Sequence, residues 1–130
     1  MEHRALIAEL EQAVAPELEA LSHFLYTHPE LGMEERQAVR CLTDYLEDKG
    51  FALERCWQGM ETAFAARWGQ KGPCIAFLAE YDALPGYGSG GQDNGHACGH
   101  NWIAATTVGA AVVLKEACRR LQLPGRSLLA

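Results

Sequence analysis

An α/β domain is what this sequence predicts, and three observations carry the prediction. Apolar residues recur at helical spacing up to Gly50, shorten to strand-length runs broken by glycine and proline as far as Ala79, and return to helical length after His100. The period changes at Gly50 and again near Gly99, both residues suited to ending one element and turning into the next. The third observation is a continuous apolar run, Cys74–Ala79, of the kind found in strands with a neighbouring layer on each face.

From Ala5 to about Tyr26, Leu6, Leu10, Val14, Leu18, Leu21 and Leu25 recur at helical spacing, with Glu9, Glu11, Glu17 and Glu19 largely between them. This is the pattern of an amphipathic helix. Pro16 stands in its middle, so the segment either kinks there or divides into two helices with Pro16 in the first turn of the second. Thr27-His28-Pro29 ends it, because a residue before proline avoids the helical region. A second helix, roughly Met33 to Lys49, places Val39, Leu42, Tyr45 and Leu46 on one face and stops at Gly50, a suitable left-handed cap.

Phe51–Trp57 and Thr62–Trp68, separated by Gln58-Gly59-Met60-Glu61, read as a hairpin in which Gly59 takes the positive φ. After a turn at Gly69–Pro73, the run Cys74–Ala79 is expected at the centre of the sheet, and Glu80-Tyr81-Asp82 follows where an open α/β sheet presents its chemistry. Residues 83–100 hold six glycines and one proline, a long loop of the sort that serves a site at its ends. Trp102–Leu114 is apolar or weakly polar all round and falls short of the roughly 20 residues of a membrane span, so a core helix from about Asn101 to Arg120, buried on most faces, is expected. Asn101 is its predicted N-cap. Ser127–Ala130, after the Pro124-Gly125 turn, resembles the first half of a buried strand.

The 130 residues and their 48% apolar content suit one domain with a real core. A net charge of -6, with Arg119-Arg120 the one adjacent basic pair, argues against a nucleic-acid surface. Five scattered cysteines without a framework pattern suit a reducing cytoplasm, and no apolar leader follows Met1-Glu2-His3-Arg4, so no signal peptide is expected.

The chemistry concentrates in Asn94-Gly95-His96-Ala97-Cys98-Gly99-His100-Asn101. Thiolate and neutral imidazole are preferred ligands of zinc and related borderline metals, and the glycines let the backbone bring them close. The spacing is not that of a closed structural zinc site, so Cys98 and His100 read as part of a centre completed from elsewhere. A buried free thiol beside a helix-capping histidine is the plainer alternative.

Three stretches together carry a family resemblance: Leu78–Gly86 (LAEYDALPG), Gly95–Asn101 (GHACGHN) and His28–Glu35 (HPELGMEE). In that order they resemble the metal-dependent amidohydrolases of the aminoacylase and carboxypeptidase family, nearest the branch of aminobenzoyl-glutamate hydrolase and the β-alanyl-lysine-type dipeptidases. The resemblance implies a zinc-exopeptidase-like catalytic domain, a three-layer mixed sheet with flanking helices. Residues 1–130 would form its N-terminal segment, with an inserted dimerisation domain and a C-terminal part lying beyond. It also implies that Cys98 and His100 are metal ligands, and that Asp82 is the catalytic carboxylate that orients the site. The complete enzyme would hold two divalent ions, zinc or manganese, with cobalt or nickel compatible. Other branches place a ligating histidine where this chain has Glu80, which leaves the role of Glu80 open and lets His100 take over that ligation. His96 is expected as a loop hydrogen-bonder, His28 as a structural residue between the first two helices, and His3 and His23 as surface or helix residues.

The family's general base is a Glu-Glu pair downstream of these motifs and is not among the 130 residues. Three readings therefore stand: an amidohydrolase segment acting, when complete, on a small N-acyl amino acid or dipeptide, inactive as this chain and homo-oligomeric; a truncated binding or oligomerisation module; and a thiol hydrolase using Cys98 with His96 or His100 as base. None involves nucleic acid or membrane.

Overall fold

The computed structural model describes residues 2–130. The first helix, α1 (Glu2–Thr27), runs unbroken through Pro16, so the two-helix alternative is not adopted. Pro16 removes one hydrogen bond to the carbonyl of Gln12, and since both residues are exposed, water can replace the missing N–H. The end of α1 is held by His28, whose Nδ1 donates to the Phe24 carbonyl at 2.8 Å while its ring stacks on Phe24 at 4.1 Å. His28 is the structural residue expected of it.

Helix α2 (Arg36–Asp48) starts three residues later than its apolar pattern suggested, because Met33 sits at φ +70° outside it. Its first turn has no side-chain N-cap of its own. Glu30 supplies the acceptor instead, its two carboxylate oxygens taking the N–H groups of Gln37 at 3.1 Å and Ala38 at 2.9 Å. A negative side chain at these free amides is favourable on both hydrogen-bonding and dipole grounds. At the other end, Gly50 adopts φ +86° as expected and the Lys115 ammonium donates to the Lys49 carbonyl.

Strands β1 (Ala52–Arg55) and β2 (Phe64–Trp68) pair antiparallel from Ala52 opposite Arg67 to Arg55 opposite Phe64, which is the expected hairpin. Strand β3 (Cys74–Phe77) is followed by the glycine-rich loop, helix α3 (His100–Arg120) and strand β4 (Arg126–Leu129). The sheet order is β1-β2-β4-β3, with β4 antiparallel to β2 and parallel to β3. Ser127 and Leu129 are buried, so the C-terminal residues do form a core strand.

The expectation that Cys74–Ala79 lies at the centre of the sheet is overturned. β4 takes the position between β2 and β3, and β3 is left at an edge with Ile75 49% and Leu78 75% exposed. The expected cover on both faces is also missing, since Cys74, Ile75 and Ala76 are exposed, and the outer edge of β3 meets no strand among the described residues.

The main hydrophobic core joins the three helices to the sheet, and a smaller cluster of Leu10, Val113 and Ala117 lies between α1 and α3. Leu21 and Leu25 of α1, Leu42 and Leu46 of α2, and Ala104, Ala105 and Val108 of α3 pack with Phe64, Ala66 and Leu129. Leu53, Phe64, Ala66, Phe77 and Leu129 all lie on one face of the sheet. On the opposite face Glu54, Arg67, Cys74 and Ala76 are exposed. The mixed α/β class holds, and the described residues build two layers, the four-stranded sheet and the helices packed on one of its faces.

Helix α3 packs most closely on α1, where Gly109 admits Leu18: a Cβ at position 109 would stand 2.3 Å from Leu18 Cδ1. The expectation that α3 is buried on most faces is corrected at its start, since Trp102 is 52% and Ile103 38% exposed. Trp102 borders an apolar groove of roughly 500 Å³ between α1 and α3 that carries no metal-ligating histidine or cysteine. No helix among the described residues is long and apolar enough to cross a membrane.

Candidate metal centre

The site forms where the segment after β3 meets the start of α3. Beyond Phe77 the chain stays extended and is pinned on both sides: the Ala79 N–H donates to the Ala130 carbonyl at 3.1 Å and the Ala83 N–H to the Glu30 carbonyl at 2.7 Å. Asp82 is held between these two anchors. On the other side, Gly99 adopts φ +74° and its carbonyl accepts the N–H groups of Trp102 and Ile103, so the helix begins at His100. Nothing stands within 4 Å of a Cβ at position 99, so it is the left-handed backbone and not crowding that calls for glycine. Asn101 is not the N-cap: it lies inside the first turn, and its Nδ2 donates to Ser22 Oγ at 3.0 Å, tying α3 to α1.

His100 Nδ1 lies 2.7 Å from Asp82 Oδ1, both side chains being largely withdrawn from water at 23% and 31% exposure. A carboxylate oxygen only accepts, so the proton of this bond sits on Nδ1, and a metal would meet the ring at Nε2. A carboxylate behind one imidazole nitrogen and a free lone pair on the other is the arrangement that orients metal-ligating histidines. Cys98 precedes His100 by two positions and stands exposed as a free thiol.

His96 is half-buried, with its Nδ1 shielded from solvent and without a hydrogen-bond partner. Burial pushes this imidazole below its ordinary value, the Leu25 carbonyl beside it works in the opposite direction, and the nearby His100 and Asp82 add smaller, opposed effects. Glu80 is exposed. Tyr81 is a packing residue: it stacks on Phe64 at a centroid distance of 6.0 Å, donates its hydroxyl to the Thr62 carbonyl, and burial followed by the charge of Glu35 raises its pKa beyond any acid–base use.

The structure thus joins Asp82 to His100 directly. Asp82 lines a hollow of roughly 360 Å³ with Glu35, Glu80 and Tyr81, whereas His96 lines a separate hollow of roughly 710 Å³. Among the described residues no three His, Cys, Asp or Glu side chains converge as a metal cage. The donors present nevertheless suit a divalent cation: an oriented imidazole and a thiol in the same loop, although neither Cys98 nor His100 lines either hollow. His100 and Cys98 would hold such an ion, with its remaining ligands coming from outside these residues.

Two carboxylates escaped the reading of the sequence. Glu30 caps α2, and Glu35 is 8% exposed with Oε2 unpartnered in the Asp82 hollow. Helical periodicity places neither, since both lie in the turn between α1 and α2; the motif His28–Glu35, which contains them, marked the turn without assigning either a role.

No protein-family model matches the chain. It is 39% identical to Xaa-Arg dipeptidase of Mus musculus over 127 residues, covering 90% of this chain and 28% of that protein. It is 35% identical to a polypeptide of the p-aminobenzoyl-glutamate hydrolase of Escherichia coli (strain K12) over 102 residues, covering 71% of this chain and 21% of that polypeptide. Among solved structures, the Bacillus subtilis YXEP protein, a dinuclear metal binding peptidase from the M20 family, superposes with a TM-score of 0.75 at 28% identity, over 91% of this chain and 35% of that one. The chain therefore spans about a fifth to about a third of the length of these relatives. Over the part it spans, it belongs to the M20 family of metal-dependent amidohydrolases and peptidases.

Proposed function

We propose that this chain is the N-terminal catalytic segment of a metal-dependent hydrolase that cleaves an amide or peptide bond in a small N-acyl amino acid or dipeptide. The observation that carries the reading is the Asp82–His100 bond at the start of α3, which presents one imidazole nitrogen, already oriented, beside the Cys98 thiol. When bound, a zinc or manganese ion at this place supplies Lewis-acid polarisation of a carbonyl and lowers the pKa of water to about 7. The chain's own residues do three things there. His100 and Cys98 hold the ion, Asp82 keeps the His100 proton on Nδ1, and Gly99 sets the turn that starts the helix.

No base is assigned among these residues, because the one carboxylate in contact with His100 is committed to orienting it. The chain by itself therefore binds metal weakly and does not turn over substrate. The inserted dimerisation domain and C-terminal part proposed for the whole protein supply the missing ligands, the second ion and the base, and the whole protein is a cytoplasmic homo-oligomer. Titration of the purified chain with zinc, followed by the amide resonances of residues 96–102, tests the reading. Saturable shifts that vanish in His100→Ala and Cys98→Ser support it; zinc shifts that survive both substitutions refute it.

A further inference from the structure

Both partners of the Asp82–His100 bond are fastened to the same stretch of chain, the last turns of α1 and the turn that follows it. Asp82 is held there through its neighbour: the Ala83 N–H donates to the Glu30 carbonyl at 2.7 Å, and Leu31 pairs with Ala83 as a short parallel bridge. His100 is held there through Asn101, whose Nδ2 donates to Ser22 Oγ at 3.0 Å and to the Ser22 carbonyl at 3.4 Å. Ser22 is only 7% exposed, so water competes little for its hydroxyl. The stretch is itself well tied, since Thr27 Oγ1 donates to the His23 carbonyl at 2.9 Å and His28 closes the helix end on Phe24. Ahead of the Cys98–His100 turn, Gly95 and Leu84 exchange both backbone N–H···O bonds at 2.9 Å and close the neck of the glycine-rich loop, where a Cβ at Gly95 would fall 2.3 Å from the Tyr87 carbonyl oxygen.

These ties decide how α3 is turned about its own axis. Successive residues of an α-helix point about 100° apart, so once Asn101 faces α1 the direction of His100 is set. Side-chain ends lie about 5–6 Å from a helix axis, and a rotation of about 20° would carry the His100 ring about 2 Å. Such a shift opens the 2.7 Å bond to Asp82, which Ala83 holds from the other side. Little else fixes this rotation at the start of α3. No side chain caps its first turn, Trp102 and Ile103 are 52% and 38% exposed, and the nearest buried residues, Ala104 and Ala105, present only methyl groups. Among the described residues, Asn101 is the one side chain of that first turn that hydrogen-bonds α1.

We propose that Asn101 and Ser22 are positioning residues of the metal centre: the amide held by α1 sets the rotation of α3 at which His100 reaches Asp82, and so leaves the ring's Nε2 for a metal. The proposal rests on the hydrolase reading above and adds to it two residues that hold no metal themselves. Neither side chain is charged, so both act on His100 through geometry.

The test uses the whole 130-residue chain and reads His100 directly. The ring Nδ1–H of His100 exchanges slowly with water only while Asp82 accepts it, so its exchange rate reports the bond without any metal. Asn101→Ala keeps a good helix former in the first turn and removes the tie. Expected are exchange about fivefold faster and zinc affinity about fivefold weaker, the factor carried by one hydrogen bond between neutral groups. Ser22→Ala should give part of this change, because the Ser22 carbonyl remains, and the double variant should go no further than Asn101→Ala. Thr43→Ala, at a buried α2 residue whose hydroxyl bonds carbonyls of its own helix, destabilises the chain away from the site and should leave exchange at His100 as it was. Unchanged exchange in Asn101→Ala, additive effects in the double variant, or the same change in Thr43→Ala each overturn the proposal. Faster His100 exchange in Asn101→Ala, in a chain that binds no zinc, supports the positioning and refutes the hydrolase reading alone; zinc binding through His100 that ignores Asn101→Ala overturns the positioning alone.

Discussion

Replacing Asp82 by asparagine isolates the contact on which the metal centre depends. In the parent the 2.7 Å bond fixes the proton on His100 Nδ1, and the asparagine amide can instead donate to that nitrogen, moving the proton to Nε2 where a metal would bind. Hydrogen bonds to charged groups contribute about 1.5–3 kcal/mol, and with the two side chains 23% and 31% exposed the lower half of that range applies. A loss of about 1.5–2 kcal/mol corresponds to zinc affinity about 10–30-fold weaker, within the roughly 10–100-fold seen when partners of metal-ligating histidines are removed. Competition against a chelating indicator gives the affinity, and circular dichroism melting checks that the fold survives. In a His100→Ala background the same substitution should have almost no further effect, because its action runs through His100. Zinc affinity within about twofold of the parent, in a chain where His100→Ala abolishes binding, would refute the orienting role.

Gly109→Ala sets a helix-propensity gain of about 1 kcal/mol against overpacking of about 1–3 kcal/mol, with the new Cβ 2.3 Å from Leu18 Cδ1 and 3.2 Å from its Cγ. A net loss near 1 kcal/mol is expected by urea unfolding, relieved in Gly109→Ala/Leu18→Ala; strictly additive effects would count against the contact. Gly95→Ala has no flexible neighbour to displace, so it should destabilise the loop neck by about 1–3 kcal/mol and speed hydrogen exchange at Leu84 and Gly95. The open edge of β3 predicts self-association: Ile75→Lys and Leu78→Lys should lower the mass measured by light scattering, and an unchanged mass would show that this edge is not the contact. Glu116 titrates at about 2 because Arg119 hydrogen-bonds it, with Arg120 adding to the effect against partial burial. Its folded pKa is depressed, so its contribution, under about 1 kcal/mol for a surface pair, is present above its ordinary value of 4.5 and lost as pH falls through about 2. Glu116→Gln should therefore flatten stability between those pH values, and a slope identical to the parent's would contradict the pairing.

What the sequence determined by itself was local. The helix spanning Leu6 to Leu25, the second helix ending at Gly50, the hairpin around Gly59 and the return to helix after Gly99 were all legible, because spacing, proline and glycine act over a few residues along the chain. The motif Gly95–Asn101 was legible for the same reason, its donors lying within one loop. Strand order was decided by tertiary structure: Cys74–Phe77 and Arg126–Leu129 are both apolar strands, and only pairing across the α3 crossover puts β4 inside and β3 at the edge. A run of apolar residues records how much cover a strand wants, not which strand provides it. The same holds at helix ends. Asn101 had the composition of an N-cap, but α1 packs close enough for Ser22 to take its amide, and α2 is capped by Glu30 from the preceding turn. The pairing of Asp82 with His100 likewise arises from segments distant in sequence. Periodicity carries information over one turn of helix or one pleat of strand, whereas these contacts exist only once the helices have packed on the sheet.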